Sequence, residues 1–245
     1  MKLSELAFNC VKTATGFGDP SFTYLSFITK EGFDNPDYAP TIERVFSNIN
    51  SFFARLSSLG KIPTEVNEVN PERIDTSTHS IPIDVLRLRP RKIVSVFQMI
   101  GKDDYETLRF SRVGKEIRII DSAYDPAKPV CIQYRPIVKS FSQADIPFVT
   151  PLYGESGEKK GYSLEGIVYE NEQDMLEAVD ELDIDLFEEF MIPEDAMPLC
   201  EHWCKAFNDE VDYAICHSLM IETEARMLDL EVDDTIFIQN KVREV

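Results

Sequence analysis

The chain has 245 residues, 43% hydrophobic and 11% aromatic, which is enough for a packed core in one large domain or two modest ones and excludes global disorder. A formal net charge of -19 excludes the surplus of clustered cations that a tight, non-specific nucleic-acid binder needs. No apolar run approaches the ~20 residues that cross a bilayer, and the first residues lack the apolar stretch of a secretory signal. The five cysteines, an odd number, are expected as reduced thiols, as in a cytosolic-type environment.

Leu3, Leu6, Ala7 and Cys10 share one face of a short helix, which Gly16-Phe17-Gly18-Asp19-Pro20 breaks. Residues 21–36 are aromatic-rich and read as irregular. Ile42, Val45, Phe46, Ile49, Phe52, Phe53, Leu56 and Leu59 then recur at helical spacing, and Gly60 sits where a C-terminal cap belongs. A stripe of this length must be covered by another element.

Beyond Gly60 the pattern changes. Ile81–Val85, Ile93–Met99, Tyr105–Phe110, Glu116–Ile120 and Val130–Tyr134 read as short strands separated by Gly and Pro turns, the signature of an antiparallel β-domain. Lys61–Val69 is expected at an edge, because Pro63 disfavours a central position. The polar loop from Gly154 to Gly161 reads as a hairpin tip with arms Phe148–Tyr153 and Tyr162–Tyr169. Glu172–Leu182 reads as a helix through Met175, Leu176, Val179 and Leu182.

Pro193-Glu194-Asp195 opens a second long helix, expected to run to about Leu228 with Cys200, Trp203, Cys204, Phe207 and Val211 on one face. A last short helix is expected from Asp233 to Val242. The order of helices, strands and helices without βαβ alternation predicts an α+β chain, with a helical bundle from the N- and C-terminal segments and an inserted antiparallel β-domain. The expected divisions are 1–60, 61–147 for the β-domain, 148–191 for an acidic insertion, and 192–245 packing back on 1–60. Phe46, Ile49, Phe53, Trp203 and Phe207 should be buried where the two long helices meet.

Charge is segregated along the chain. Residues 1–164 carry 21 Lys and Arg against 20 Asp and Glu, whereas residues 165–245 carry 4 against 24. The stretch Glu170–Asp195 holds 12 carboxylates and no Lys or Arg, interleaved with Leu182, Ile184, Leu186, Phe187 and Phe190. It reads as an amphipathic segment with a solvated face, since it lacks the glycine and terminal glutamate spacing of an EF-hand loop. Arg87, Arg89, Arg91 and Lys92 form the dense basic cluster. Alternation places the three arginines on one face of an extended segment, either as a solvated strand face or as a docking patch for an acidic neighbour.

Cys200, His202, Cys204, Cys216 and His217 are the candidates for metal or nucleophile chemistry. Cys200 and Cys204 lie one turn apart on the face that also carries Trp203, Phe207 and Val211. Cysteines on such a face pack as small hydrophobes, so no metal, cofactor or catalytic residue is expected there. The competing reading is a zinc- or thiol-dependent enzyme built on Cys200, Cys204, Cys216 and His217.

Three stretches resemble the head-to-tail connector proteins of tailed bacteriophages, also called adaptor, gatekeeper or tubular tail proteins. They are the helix end from Ile49 to Pro63, the segment Ile81–Leu88 followed by hairpins and Val130–Pro136, and Ile192-Pro193-Glu194-Asp195 opening a helix through Tyr213, Ala214 and Glu224-Ala225-Arg226. The acidic segment from about residue 150 to 191 departs from the compact layout of that family and resembles an insertion.

The resemblance implies a non-enzymatic virion protein of the neck or tail, made in the host cytoplasm. It implies a homo-oligomeric ring of about twelve copies. Its partners would be the portal protein and other neck or tail proteins, with DNA passing without sequence-specific binding and no membrane involved. Another tail or baseplate component is the alternative among structural proteins. The family supplies no site residues, and the interface expectation rests on Arg87, Arg89 and Arg91.

Overall fold

The computed structural model describes residues 1–15, 22–29, 39–101 and 104–208, apart from the side chains of 39, 40 and 208. In chain order the first helices are α1 (Leu3–Ala14), α2 (Tyr24–Ile28) and α3 (Ala39–Ser58). Seven strands follow: β1 (Glu65–Val69), β2 (Ser80–Pro82), β3 (Pro90–Met99), β4 (Tyr105–Leu108), β5 (Phe110–Val113), β6 (Glu116–Ile119) and β7 (Val130–Pro136). Then come β8 (Val149–Tyr153), β9 (Lys159–Leu164) and β10 (Ile167–Tyr169), and the helices α4 (Glu172–Leu182), α5 (Leu186–Phe190) and α6 (Ala196–Asn208). The fold is α+β with antiparallel sheets. The chain divides into two compact units: Met1–Lys61 together with the residues from Lys139 onward, and Ile62–Val138.

In the first unit, α1, α3 and α6 pack on one another. The reason is their apolar stripes. Leu3, Leu6, Ala7, Cys10, Val11 and Ala14 are buried on α1, and Ile42, Val45, Phe46, Ile49, Phe52, Phe53 and Leu56 are buried on α3. Each Leu, Ile or Phe taken out of water contributes ~1.5–3 kcal/mol, which offsets the cost of ordering the chain. Gly60, at φ 75°, ends α3 in the left-handed conformation, and its N–H donates to the Ser57 carbonyl. The Asn50 side chain of α3 pins the segment after Lys139: it donates to the Phe141 carbonyl and accepts from the Phe141 N–H, both at 2.8 Å.

The aromatic segment expected to be irregular contains α2. Thr23 and Ser26 form a capping box for it, and Phe27 and Tyr24 meet the Phe8 ring at 5.8 Å. Tertiary packing on Phe8 therefore holds a helix too short to show a period. Phe46, Ile49, Phe53 and Trp203 are buried as expected, and Phe207 is not: it is 37% exposed, stacked on the outer face of Trp203 at 4.9 Å between ring centroids. The expected extension of α6 to Leu228, the closing helix from Asp233, and Val211 lie outside the described residues.

The same unit holds the three-stranded sheet ordered β10-β9-β8. The second hairpin arm, expected as one strand from Tyr162 to Tyr169, is two strands. Glu165 (φ 48°) and Gly166 (φ 87°) reverse the chain between Leu164 and its partner Ile167. Paired positive φ angles are what a tight hairpin turn needs.

The second unit has a four-stranded sheet ordered β1-β7-β3-β4 and a three-stranded sheet ordered β2-β6-β5. β1 lies at an edge and starts after Pro63. β7 alternates strictly, burying Val130, Ile132, Tyr134 and Pro136. Val130, Ile132 and Tyr134 join Val69, Ile81, Ile93, Val96, Leu108, Ile117 and Ile119 in one core. The expected strand Ile81–Val85 is cut short: Ile83–Val85 is a 3-10 turn, leaving β2 as Ser80–Pro82.

Candidate functional site

The helical unit brings three thiols together. On α6 the positions Ala196, Met197, Cys200, Trp203 and Cys204 are buried, at the spacing of one helical face. On α1 the stripe that starts at Leu3 reaches Cys10 two turns later. Where α1 packs on α6, the Sγ atoms of Cys10, Cys200 and Cys204 all lie within 4.8 Å of one another. All three residues have 0% exposure. α3 completes the enclosure, since Cys204 Sγ approaches the Val45 carbonyl at 3.9 Å, as a thiol donor does.

Burial pushes the thiols of Cys10 and Cys200 well above the usual range, because a thiolate there has lost its water. Cys204 moves the other way, because the neighbouring thiols of Cys10 and Cys200 favour its thiolate against the same burial. The three thiols therefore titrate as one set, in which burial and the charge already present oppose the loss of every proton after the first.

The sequence paired Cys200 with Cys204 and did not bring in Cys10. Its place on the α1 stripe was the available signal, but nothing local says which helix covers that stripe. Cys216 and His217 lie outside the described residues, and His202 is exposed on the far side of α6.

A second polar arrangement joins α1 to the acidic stretch. Asp183, between α4 and α5, is only 5% exposed. Its Oδ2 accepts from the Ser4 N–H at 3.1 Å and from the Ser4 hydroxyl at 2.5 Å, and that hydroxyl also lies 2.6 Å from the Tyr24 hydroxyl. Burial raises the carboxyl of Asp183 above its usual range, against the hydrogen bonds from Ser4. Another acid in this stretch caps a helix: Asp185 accepts from the N–H groups of Phe187 and Glu188. Of the apolar residues threaded through it, Leu186 and Phe190 are buried, whereas Leu182 and Phe187 are 50% and 57% exposed.

The arginine candidates belong to the β-unit. Arg87, Arg89 and Arg91 are exposed and alternate with Leu86, Leu88 and Pro90, which turn inward or half inward. Arg87 Nε pairs with Glu65 of β1, so that guanidinium is engaged within its own unit. Arg89 lines a pocket of about 620 Å³ with Arg112 and Lys115, faced by Asp84 and Glu116.

No family model matches the chain, and no curated protein matches it.

Proposed function

We propose that the chain is a structural virion subunit without catalytic activity: a head-to-tail adaptor of a tailed bacteriophage. It stands as one of about twelve copies in a ring between portal and tail, in the neck of the particle. The same proposal includes the finer architecture, in which helices from the two ends of the sequence form one bundle and the β-domain is inserted into it. The packing of α1, α3 and α6 in one unit, and the separate core of residues 62–138, support that arrangement.

The observation that carries the reading is the segregation of charge. Residues 165–245 hold 24 carboxylates against 4 cations, and the rest of the chain is nearly neutral. Crowding like charge on one third of a monomer destabilises it by self-repulsion. In a ring, the same segregation lets anionic surface line the channel and repel DNA phosphates, so that DNA passes without sticking. The exposed arginines of the β-unit can meet carboxylates of neighbouring subunits or of portal and tail proteins. Exposed pairs contribute only ~0–1 kcal/mol each, so they set register, and apolar surface supplies the association energy.

The test is the native mass of the purified full chain, alone and with portal-bearing particles. A closed oligomer, formed alone or on the portal, is the expected result. A chain that stays monomeric and leaves such particles unbound at every concentration sinks the proposal.

A further inference from the structure

We infer that Cys10, Cys200 and Cys204 form the binding site of one thiophilic d10 metal ion, held by three thiolates, and that Cu(I) is the ion it suits. The inference is independent of the adaptor reading. Three donors at ~2.3 Å around an ion in their plane lie ~4 Å from one another. The three Sγ atoms already fall within 4.8 Å, so modest side-chain rotations close the set.

The donors are all sulfur, and soft thiolates select Cu(I), Zn(II) and iron–sulfur clusters over hard ions. Zinc in a structural site takes four ligands. Among the described residues the group holds these three, and at 0% exposure it admits no solvent water as a fourth. A three-coordinate Cu(I) ion is complete without one. On binding, the ligand thiols release their protons to solvent, and the ion ties α1 to α6 across nearly the whole described sequence.

Small-hydrophobe packing was the expectation drawn from Cys200 and Cys204 alone. It explains their burial, since cysteine packs well in a core. It does not explain why the position α1 presents to them is also a cysteine; alanine or valine would fill an apolar stripe equally well.

The experiment is an anaerobic titration of the full reduced chain with Cu(I) in competition with bicinchoninate, followed by X-ray absorption at the copper edge. Expected are one equivalent of Cu(I) withdrawn from the chelator and three sulfur scatterers at a single distance. Cys204→Ser should weaken the competition at least tenfold, and Cys131→Ser, a change on β7, should leave it unaltered. The X-ray absorption of the unmodified protein stands whether or not the Cys204→Ser variant folds. Failure of the unmodified chain to compete for Cu(I) overturns the inference. So does copper bound with nitrogen or oxygen scatterers, or tight one-to-one Zn(II) binding that Cu(I) cannot displace.

Discussion

At Asp183 a buried carboxylate accepts two hydrogen bonds from Ser4, and its Oδ1 has no hydrogen-bond partner among the described residues. Burial raises its pKa in the folded state above the unfolded value. Between the two values the folded chain binds the proton and the unfolded chain does not. The group therefore costs stability at neutral pH, and that loss is recovered as pH falls through the raised value. The stability difference between the native protein and Asp183→Asn should shift in favour of the native protein over that acid window. Denaturant midpoints at a series of pH values would measure it, and parallel curves would contradict the account.

Tyr134 is the corresponding position in the β-unit. Its ring is fully buried, and its hydroxyl lies 2.9 Å from Glu65 Oε2 and 3.0 Å from Asn67 Oδ1 while accepting from the Leu88 N–H at 3.1 Å. Its pKa is pushed up to about 12, chiefly by burial. Tyr134→Phe leaves the Leu88 N–H without its acceptor and should cost about 1–3 kcal/mol in equilibrium unfolding. Neither role is written in the local pattern, because Asp183 sits among a dozen acids and Tyr134 in an alternating strand. Their partners become known only when the chain is folded.

At the scale of elements, the long periodic stripes were legible. α1, α3, α4, the start of α6 and the alternation of β7 follow from period and from Gly and Pro signals. Short elements were not: α2 has five residues and is held by Phe8, and the 3-10 turn at Ile83–Val85 interrupts an apolar run that reads as strand. The thiol cluster was half legible, because one helix carries two of its members and the third comes from the far end of the sequence.

Two changes probe elements directly. Ile49 is fully buried on α3, so Ile49→Ala should cost about 2–5 kcal/mol. Gly161 in β9 has φ 155°, and a Cβ there would meet the Tyr169 carbonyl oxygen at 2.4 Å. Gly161→Ala should therefore destabilise the β8–β9–β10 sheet, read as a lower thermal midpoint with faster amide exchange at Tyr162 and Tyr169. Unchanged exchange would show that the backbone relaxes there without loss.

For the whole molecule, the proposed function turns on charge that is segregated along the sequence. Arg87 already pairs with Glu65, which leaves Arg89, beside Arg112 and Lys115, better placed for a neighbour's carboxylates. Arg89→Glu should slow assembly onto portal-bearing particles at low salt, with the difference shrinking at high salt as screening sets in. Arg87→Glu should in addition lower the stability of the subunit itself, because it places a carboxylate against Glu65. Equal assembly of both variants and the native protein at all salts would remove the docking role from this basic face.

The most direct measurement is a density map of the assembled phage neck into which this chain is traced. The account predicts a closed ring of copies between portal and tail, with the acidic third of each subunit turned toward the DNA channel. A map that places the chain outside the neck, or as isolated copies that close no ring, would contradict it.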